Sequence, residues 1–308
     1  MKVMVLAGGP DREREVSLHS GECVAAALRE AGHEVLLHDL TPADTSALDA
    51  FAQWQGDCIF PALHGRWGEG GGAQTLLEAR GFSYVGCTPL VAELCMDKHR
   101  TKLVVQDHEI ATPQWELIGV GQSATLEPPV VVKAFDEGSS IDLFICHDVA
   151  ARDHAVHELL NRHARLLVEQ FIAGREMTVS VIGREPGHAG VVALPVIHIV
   201  PKPAFYDYQA KYLRDDTEYR FDIDAPPALL ERIQAAAVCA HERLGVRHLS
   251  RSDFIVDAAG TPWFLEINTM PGFTTHSLLP KAARQSGLAM PQLVDRLVRL
   301  AVYHRRKS

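Results

Sequence analysis

Arg251, Asp253, Glu266 and Asn268 bring together a guanidinium, two carboxylates and a carboxamide, side chains able to hold a hard cation and to meet a developing negative charge. They fall in "SRSDFIVDAAGTPWFLEINTMPG", where two strand-like runs flank "DAAGT". A tight turn centred on Ala259-Gly260 sets Asp253 opposite Glu266 and Arg251 opposite Asn268. Side chains alternate along a strand, so these four share one face, while Phe254, Val256, Leu265 and Ile267 take the other. Carboxylates opposed across a ladder destabilise it, so something must compensate. An all-oxygen donor set suits Mg²⁺. The alternatives are a solvated hairpin face and a glycosidase-like carboxylate pair, the second of which leaves Arg251 and Asn268 unused.

A second pattern is "VVVKAFDEGSSID", in which Lys133 sits in an apolar run and Gly138, Ser139 and Ser140 follow it. Backbone N–H groups and hydroxyls of such a loop can close over phosphate oxygens; equally, Gly and Ser end many strands. No G-x-G-x-x-G and no G-K-[ST] occurs, which disfavours a Rossmann dehydrogenase and a P-loop kinase. The net charge of -9 argues against a nucleic-acid surface, and an anionic substrate would need locally placed cations. The cysteines, Cys23, Cys58, Cys87, Cys95, Cys146 and Cys239, form no C-x-x-C pair and read as reduced, mostly buried thiols. The apolar start "VMVLA" meets glycine too soon for a signal peptide, and no run approaches the roughly 18 apolar residues of a membrane span, so a cytoplasmic protein without a membrane partner is expected.

The elements that must position these groups read as α/β. A chain of 308 residues suggests two or three domains. "VMVLA", the helical "VSLHSGECVAAALREAGH", "EVLLHDL" and "GDCIFPAL" follow the grammar of a doubly wound parallel sheet. A smaller α+β unit is expected from a helix carrying Lys98, the strands "VVVKAF" and "RLLVEQFI" and a helix between them. From about residue 171 come the strands "EMTVSVIG" and "VVALPVIHI", a polar loop with Tyr206, Tyr208 and Tyr212, a long helix and the final hairpin.

Taken in order, "GGPDREREVS", "ALHGRWGEGG", "MDK", "VVVKAFDEGSS", "VEQFIAGREMTV", "FYDYQAKY" and "RSDF…LEINTMPGFTTHS" resemble the D-alanine–D-alanine ligases of the ATP-grasp superfamily nearly end to end. The resemblance implies a three-domain ATP-grasp fold: residues 1–88, a Rossmann-like substrate domain with a doubly wound parallel sheet; 89–170, a central ATP-grasp subdomain; and 171–308, a C-terminal domain with metal and substrate sites. It implies ATP-dependent joining of two D-alanines through an acyl phosphate, for peptidoglycan and cell shape, by a cytoplasmic homodimer. Lys98, Lys133, Ser139 and Ser140 match phosphate contacts, Glu169 the adenine site and Glu176 the ribose site. Asp253, Glu266 and Asn268 match ligands of two Mg²⁺ ions, with Mn²⁺ able to substitute. Arg251 and the Gly272 N–H match an oxyanion-stabilising pair. Glu15 matches the carboxylate for the first D-alanine's ammonium, linked through Ser139 to Tyr212, and His64 the same substrate. Lys211, Ser277 and Leu278 match the cradle of the second substrate's carboxylate, and Lys211 also serves the nucleotide side.

Three positions depart from the family pattern: Ala134 replaces proline, Gly70 replaces an acid, and Asp142 replaces the glycine that closes the serine loop. A carboxylate at Asp142 opposes bound phosphate unless a cation pairs with it. Rival readings are another ATP-grasp carboxylate–amine ligase, a D-lactate-using ligase, which Tyr212 disfavours by resemblance, and a nucleotide sensor without catalysis.

Overall fold

The computed structural model describes residues 1–138, 142–184, 190–201 and 217–305. Strands β1 (Lys2–Gly8), β2 (Glu34–Leu40) and β3 (Cys58–Pro61), with helices α1 (Arg14–Glu30) and α2 (Ser46–Trp54) between them, form a parallel sheet in the order β2-β1-β3. The central strand must bury both faces. Val3 and Val5 pack with Val24 and Leu28 of α1, while Met4 and Leu6 pack with Leu48 and Phe51 of α2. The winding reverses at β1, so the loops after β1 and β3 diverge at the carboxyl edge and leave a crevice there.

After β3 come the short helices α3 (Gly65–Glu69) and α4 (Gly72–Ala79), then α5 (Pro89–Met96) and α6 (Lys98–Asp107). The single helix expected to carry Lys98 is therefore two, broken at Asp97, whose extended backbone and side chain cap α6 through the Arg100 N–H. Strands β4 (Trp115–Gly119), β5 (Val130–Ala134), β6 (Leu143–Cys146) and β7 (Arg165–Gln170) form an antiparallel sheet ordered β4-β7-β5-β6, and α7 (Val149–Leu160) covers one face.

The third sheet is ordered β11-β10-β8-β12-β13, with β9 also on β8. Its strands are β8 (Arg175–Ile182), β9 (Val192–Ala193), β10 (Ile197–Val200), β11 (Glu218–Arg220), β12 (Leu249–Val256) and β13 (Pro262–Asn268). Met177, Val179, Phe254, Phe264 and Ile267 pack against Ile233, Ala237 and Ala240 of α8 (Pro227–Arg243). Two segments pack away from their chain neighbours. Ala92, Cys95 and Val105 of α5 and α6 join this third core, although the sequence reading begins the central unit at residue 89. Helices α9 (Leu278–Gln285) and α10 (Met290–Arg305) return to the first sheet, where Leu297 and Val298 meet the cluster of Val3, Val5 and Phe60. The six cysteines are free and four are buried. Among the described residues no helix is long and apolar enough to cross a membrane.

Candidate functional site

The hairpin has the register expected at its far end: Arg251 pairs with Asn268 and Asp253 with Glu266. Nearer the turn it slips. A bulge after Asp253 pairs Phe254 with Phe264, which leaves Leu265 facing outward and buries Phe264 in its place. The expectation that Leu265 packs in the core is thus corrected. It lines a cleft instead.

Cations of the protein itself compensate the opposed acids. Arg251 donates from Nε to Asp253 Oδ1 at 2.9 Å and from Nη2 to Oδ2 at 2.8 Å, and the Thr178 hydroxyl donates to Oδ1 at 2.6 Å. Lys98 Nζ lies 3.2 Å from Glu266 Oε2. The Asn268 carboxamide oxygen accepts the Met270 N–H at 2.9 Å, which fixes its direction. Asp253, Glu266 and Asn268 line one small cavity, and as oxygen donors they fit Mg²⁺.

A cleft of about 410 Å³ separates the second and third sheets. Val131, Leu143 and Ile145 wall it on one side, Ile255 and Leu265 on the other, and Phe171 and Ile172, in the link from β7 to β8, also line it. Lys98, Lys133, Glu169 and Glu176 all reach it, as the resemblance implies for nucleotide contacts. Lys98 Nζ also donates to the Glu137 carbonyl beside the serine loop. Glu169 is only 2% exposed and holds two ammonium groups, Lys133 Nζ at 3.0 Å and Lys102 Nζ at 2.5 Å. Burial pushes the Glu169 carboxyl up, but Lys102 and Lys133 outweigh it and hold the group below the usual carboxylate range. Burial pulls the Lys102 ammonium down to about 8 against the attraction of Glu169.

Gly138 and Asp142 flank the serine loop, whose residues Ser139 and Ser140 lie outside the described residues. Asp142 has φ of 54°, the left-handed backbone a glycine would supply. Its carboxylate is paired: His163 Nε2 at 2.8 Å, Arg162 Nη1 at 2.7 Å and Arg12 Nη1 at 3.6 Å surround it. Burial raises this carboxyl, and His163, Arg162 and Arg12 together bring it below its ordinary value. The carboxylate is thereby tethered at the loop's end. The departure at Gly70 has a steric cause, because a Cβ there would stand 2.4 Å from the Arg66 carbonyl oxygen.

A second cavity, about 60 Å³, joins the cleft and is lined by Glu13, Glu69, Arg251, Gly272, Ser277 and Leu278 among others. Glu176, Asp253 and Glu266 line both spaces. The expectation for Glu15 is corrected here: it is exposed in the first turn of α1, whereas Glu13 is 7% exposed and lines the cavity. Glu13 stands at the N-cap just ahead of α1, while Glu15 lies on the exposed side of its first turn. Glu13 Oε2 also lies 3.8 Å from where a Cβ of Gly138 would stand, beside the serine loop.

His64 is buried behind this cavity, with Nε2 3.4 Å from Ser20 Oγ. Burial lowers its pKa despite the nearby charge of Glu13. Glu69 is buried as well, and its Oε1 accepts the Gly65 N–H at 3.3 Å. Burial, reinforced by Glu13, raises its pKa well above the usual carboxylate value. The Ser277 hydroxyl accepts the Thr274 N–H at 3.0 Å, next to Leu278 at the start of α9. Lys211 and Tyr212 lie outside the described residues.

Sequence reasoning left out Glu13, Glu69 and Lys102 as site residues. Lys102 had a legible signal: it follows Lys98 by four residues and so shares its helix face. The pair "REREVS" could not choose between Glu13 and Glu15 without knowing where the helix begins.

Comparison with known proteins agrees with this geometry. A family model described as the D-ala D-ala ligase C-terminus matches residues 104–299. The chain is 38% identical over 302 residues to a D-alanine–D-alanine ligase from Aquifex aeolicus, covering 97% of this chain and 100% of the relative. Among solved structures it is similar to a D-alanine–D-alanine ligase from Bacillus anthracis, with TM-score 0.84 and 29% identity over 100% of this chain and 99% of the other. A structure of the Bacillus anthracis ligase complexed with ATP aligns with TM-score 0.84 and 27% identity over the same shares. A D-Ala:D-Ser ligase from Enterococcus faecalis aligns with TM-score 0.83 and 26% identity, over 97% of this chain and 99% of that one.

Proposed function

We infer that this chain, which belongs to the D-alanine–D-alanine ligase family and shares its ATP-grasp fold, uses ATP to join two D-alanines through an acyl phosphate. The observation that carries this reading is the hairpin's place between two connected spaces. Asp253 and Glu266 line both the larger cleft and the smaller cavity, so a phosphoryl group entering from the first can reach a carboxylate held in the second.

In this reading adenine lies between the apolar walls near Glu169 and Phe171, Glu176 receives ribose hydroxyls, and Lys98 and Lys133 meet the phosphates with the loop of Ser139 and Ser140. Asp253, Glu266 and Asn268 would hold Mg²⁺, two ions by family resemblance, which when bound offset phosphate charge and help align the transfer. Glu13, rather than Glu15, takes the first D-alanine's ammonium, with His64 supporting that end of the cavity. A carboxylate oxygen of this D-alanine attacks the γ-phosphorus while the bond to ADP breaks. The free amine of the second D-alanine, its carboxylate cradled by Lys211, Ser277 and Leu278, then attacks the acyl carbon. Arg251 and the Gly272 N–H stabilise the oxyanion, phosphate leaves, and the nitrogen gives up a proton. Ser139 and Tyr212 complete the link between Glu13 and the second substrate.

Reduced buried cysteines support a cytoplasmic setting, where the dipeptide would enter peptidoglycan synthesis. A homodimer is proposed by family resemblance and is tested by sedimentation. The deciding assay measures ADP release and dipeptide formation with Mg²⁺-ATP and each of D-Ala, D-Ser, D-lactate and L-Ala. D-Ala-dependent ADP and D-alanyl-D-alanine are expected. Preference for D-Ser or D-lactate as acceptor moves the chain to another ligase class, and ATP binding without any product returns the sensor reading.

A further inference from the structure

A lysine without exposed surface carries a large desolvation cost, and the fold retains one where a methionine would fill the space. Lys102 is 0% exposed. Its Nζ lies 2.5 Å from Glu169 Oε2, donates to Thr112 Oγ1 at 2.5 Å and stands 5.3 Å from the centre of the Trp115 ring. Thr112 in turn donates its hydroxyl to the Phe264 carbonyl at 2.8 Å, which ties the ammonium to the bulged end of the hairpin. Lys133 differs. It holds the other oxygen of Glu169 but lines the cleft, as Lys102 does not.

We propose that Lys102 is a positioning residue for nucleotide-base selection: it is the permanent counter-ion of Glu169, keeping that carboxylate ionised and turned to the base while Lys133 leaves it for the phosphates. This rests on the reading that the cleft takes ATP. The chemistry follows from donor and acceptor roles. An ionised carboxylate only accepts hydrogen bonds, so it welcomes the 6-amino group of adenine and opposes the 6-oxo group of hypoxanthine. Without a partner, a carboxylate this deeply buried takes up a proton, and the neutral acid can donate to a 6-oxo base as readily as it accepts from an amine. Burial and Glu169 leave the Lys102 ammonium with a pKa of about 8, so it is mostly charged at neutral pH.

Isothermal titration of the full chain with ATP and with ITP, without D-alanine, reads base preference apart from ligation. Wild type is expected to prefer ATP by about tenfold or more, the scale of one charge-assisted hydrogen bond. Lys102→Met is expected to lose most of that preference, with ITP tightened and ATP unchanged or weakened. Thr112→Val, which leaves the charges in place, should fold normally and lose part of it, about two- to threefold. An unchanged ATP-over-ITP ratio in folded Lys102→Met overturns the proposal. If Lys102→Met does not fold, an unchanged ratio in Thr112→Val overturns it. No preference in wild type does so as well. Product formation is scored separately: a wild type that selects ATP but makes no dipeptide defeats the ligase reading and leaves the role of Lys102 standing.

Discussion

Glu69 and Glu169 are both nearly sealed from water, at 6% and 2% exposure, yet their carboxyls are driven in opposite directions. Glu69 faces Glu13, and the Gly65 N–H and the Arg251 charge offset its burial only in part, so its carboxyl is raised. Glu169 meets the same burial with two ammonium groups against it. Burial sets the size of the penalty, and partners decide its outcome. The contrast extends to the two spaces. The larger cleft meets its ligand with Glu169 already balanced and most of its wall apolar, which suits a flat base. The smaller cavity gathers Glu13, Glu69, Glu176, Asp253 and Glu266 around Arg251, which suits a ligand bearing an ammonium group and a metal ion.

The sharpest test of the contrast is stability against pH in Glu169→Gln and Glu69→Gln. The depressed carboxyl of Glu169 contributes stability that is full above its ordinary value of 4.5 and is lost as pH falls through its lower folded value. Removing its charge strands two lysines, and a loss of about 3 to 5 kcal/mol at pH 7 is expected, shrinking in acid. The raised carboxyl of Glu69 does the reverse: its contribution is full below 4.5 and is lost as pH rises toward its folded value. Glu69→Gln should therefore gain on wild type between pH 4.5 and 8. Denaturant unfolding at about pH 3, 4.5 and 8 measures both: the Glu169→Gln deficit should narrow from pH 4.5 to 3 and Glu69→Gln should gain from pH 4.5 to 8, and the absence of either trend breaks the comparison.

Turnover distinguishes the spaces next. Asp253→Asn and Glu266→Gln are each expected to lower kcat by about a hundredfold or more, since each removes charge from the proposed metal clamp. Arg251→Lys should lose about as much while ATP KM changes far less, because a point charge does not replace a planar fork. Steady-state kinetics at saturating Mg²⁺ decide; near wild-type rates would make the hairpin face a set of structural ion pairs.

Glu13→Gln is expected to raise the KM for the first D-alanine about tenfold or more, the loss of a charge-assisted hydrogen bond, while Glu15→Gln stays within about twofold of wild type. The reverse pattern would restore Glu15 and reject the inward turn of Glu13. The smallest effect is at Asp142. Its pairing with His163 and Arg162 is partly exposed, so Asp142→Gly should raise ATP KM only about two- to fourfold. A fall in KM at low salt would mean that the carboxylate repels phosphate after all.

Much of this was legible because it depends on spacing along one chain. The alternation in "RSDFIVD" and "WFLEIN" placed Arg251, Asp253, Glu266 and Asn268 on one face, and the structure repeats their two pairs, although through the bulge rather than through the turn alone, since nearer the turn Val256 pairs with Pro262. The parallel strands "VMVLA" and "EVLLHDL" were readable as apolar runs. Short strands carry too few residues for a period: β6 spans only Leu143–Cys146, and neither it nor β4 was read from sequence. Helix α2, nine residues long, was missed for the same reason.

What the sequence by itself determined is therefore the inventory of chemical groups, the face each shares with its near neighbours, and through family resemblance the order of the site. Tertiary structure alone decided three matters. A bulge that adds one residue to β13 turned Leu265 into the cleft and Phe264 into the core, because a strand's two faces exchange at every added residue. The start of α1 after Glu13 left that glutamate at the N-cap, buried beside the cavity, and set Glu15 on the exposed side of the first turn, because where a helix begins decides which residues its faces present. The meeting of α6 with β7 gave Glu169 its second lysine, and no local pattern encodes a charge 67 positions away whose effect falls with distance in space rather than along the chain.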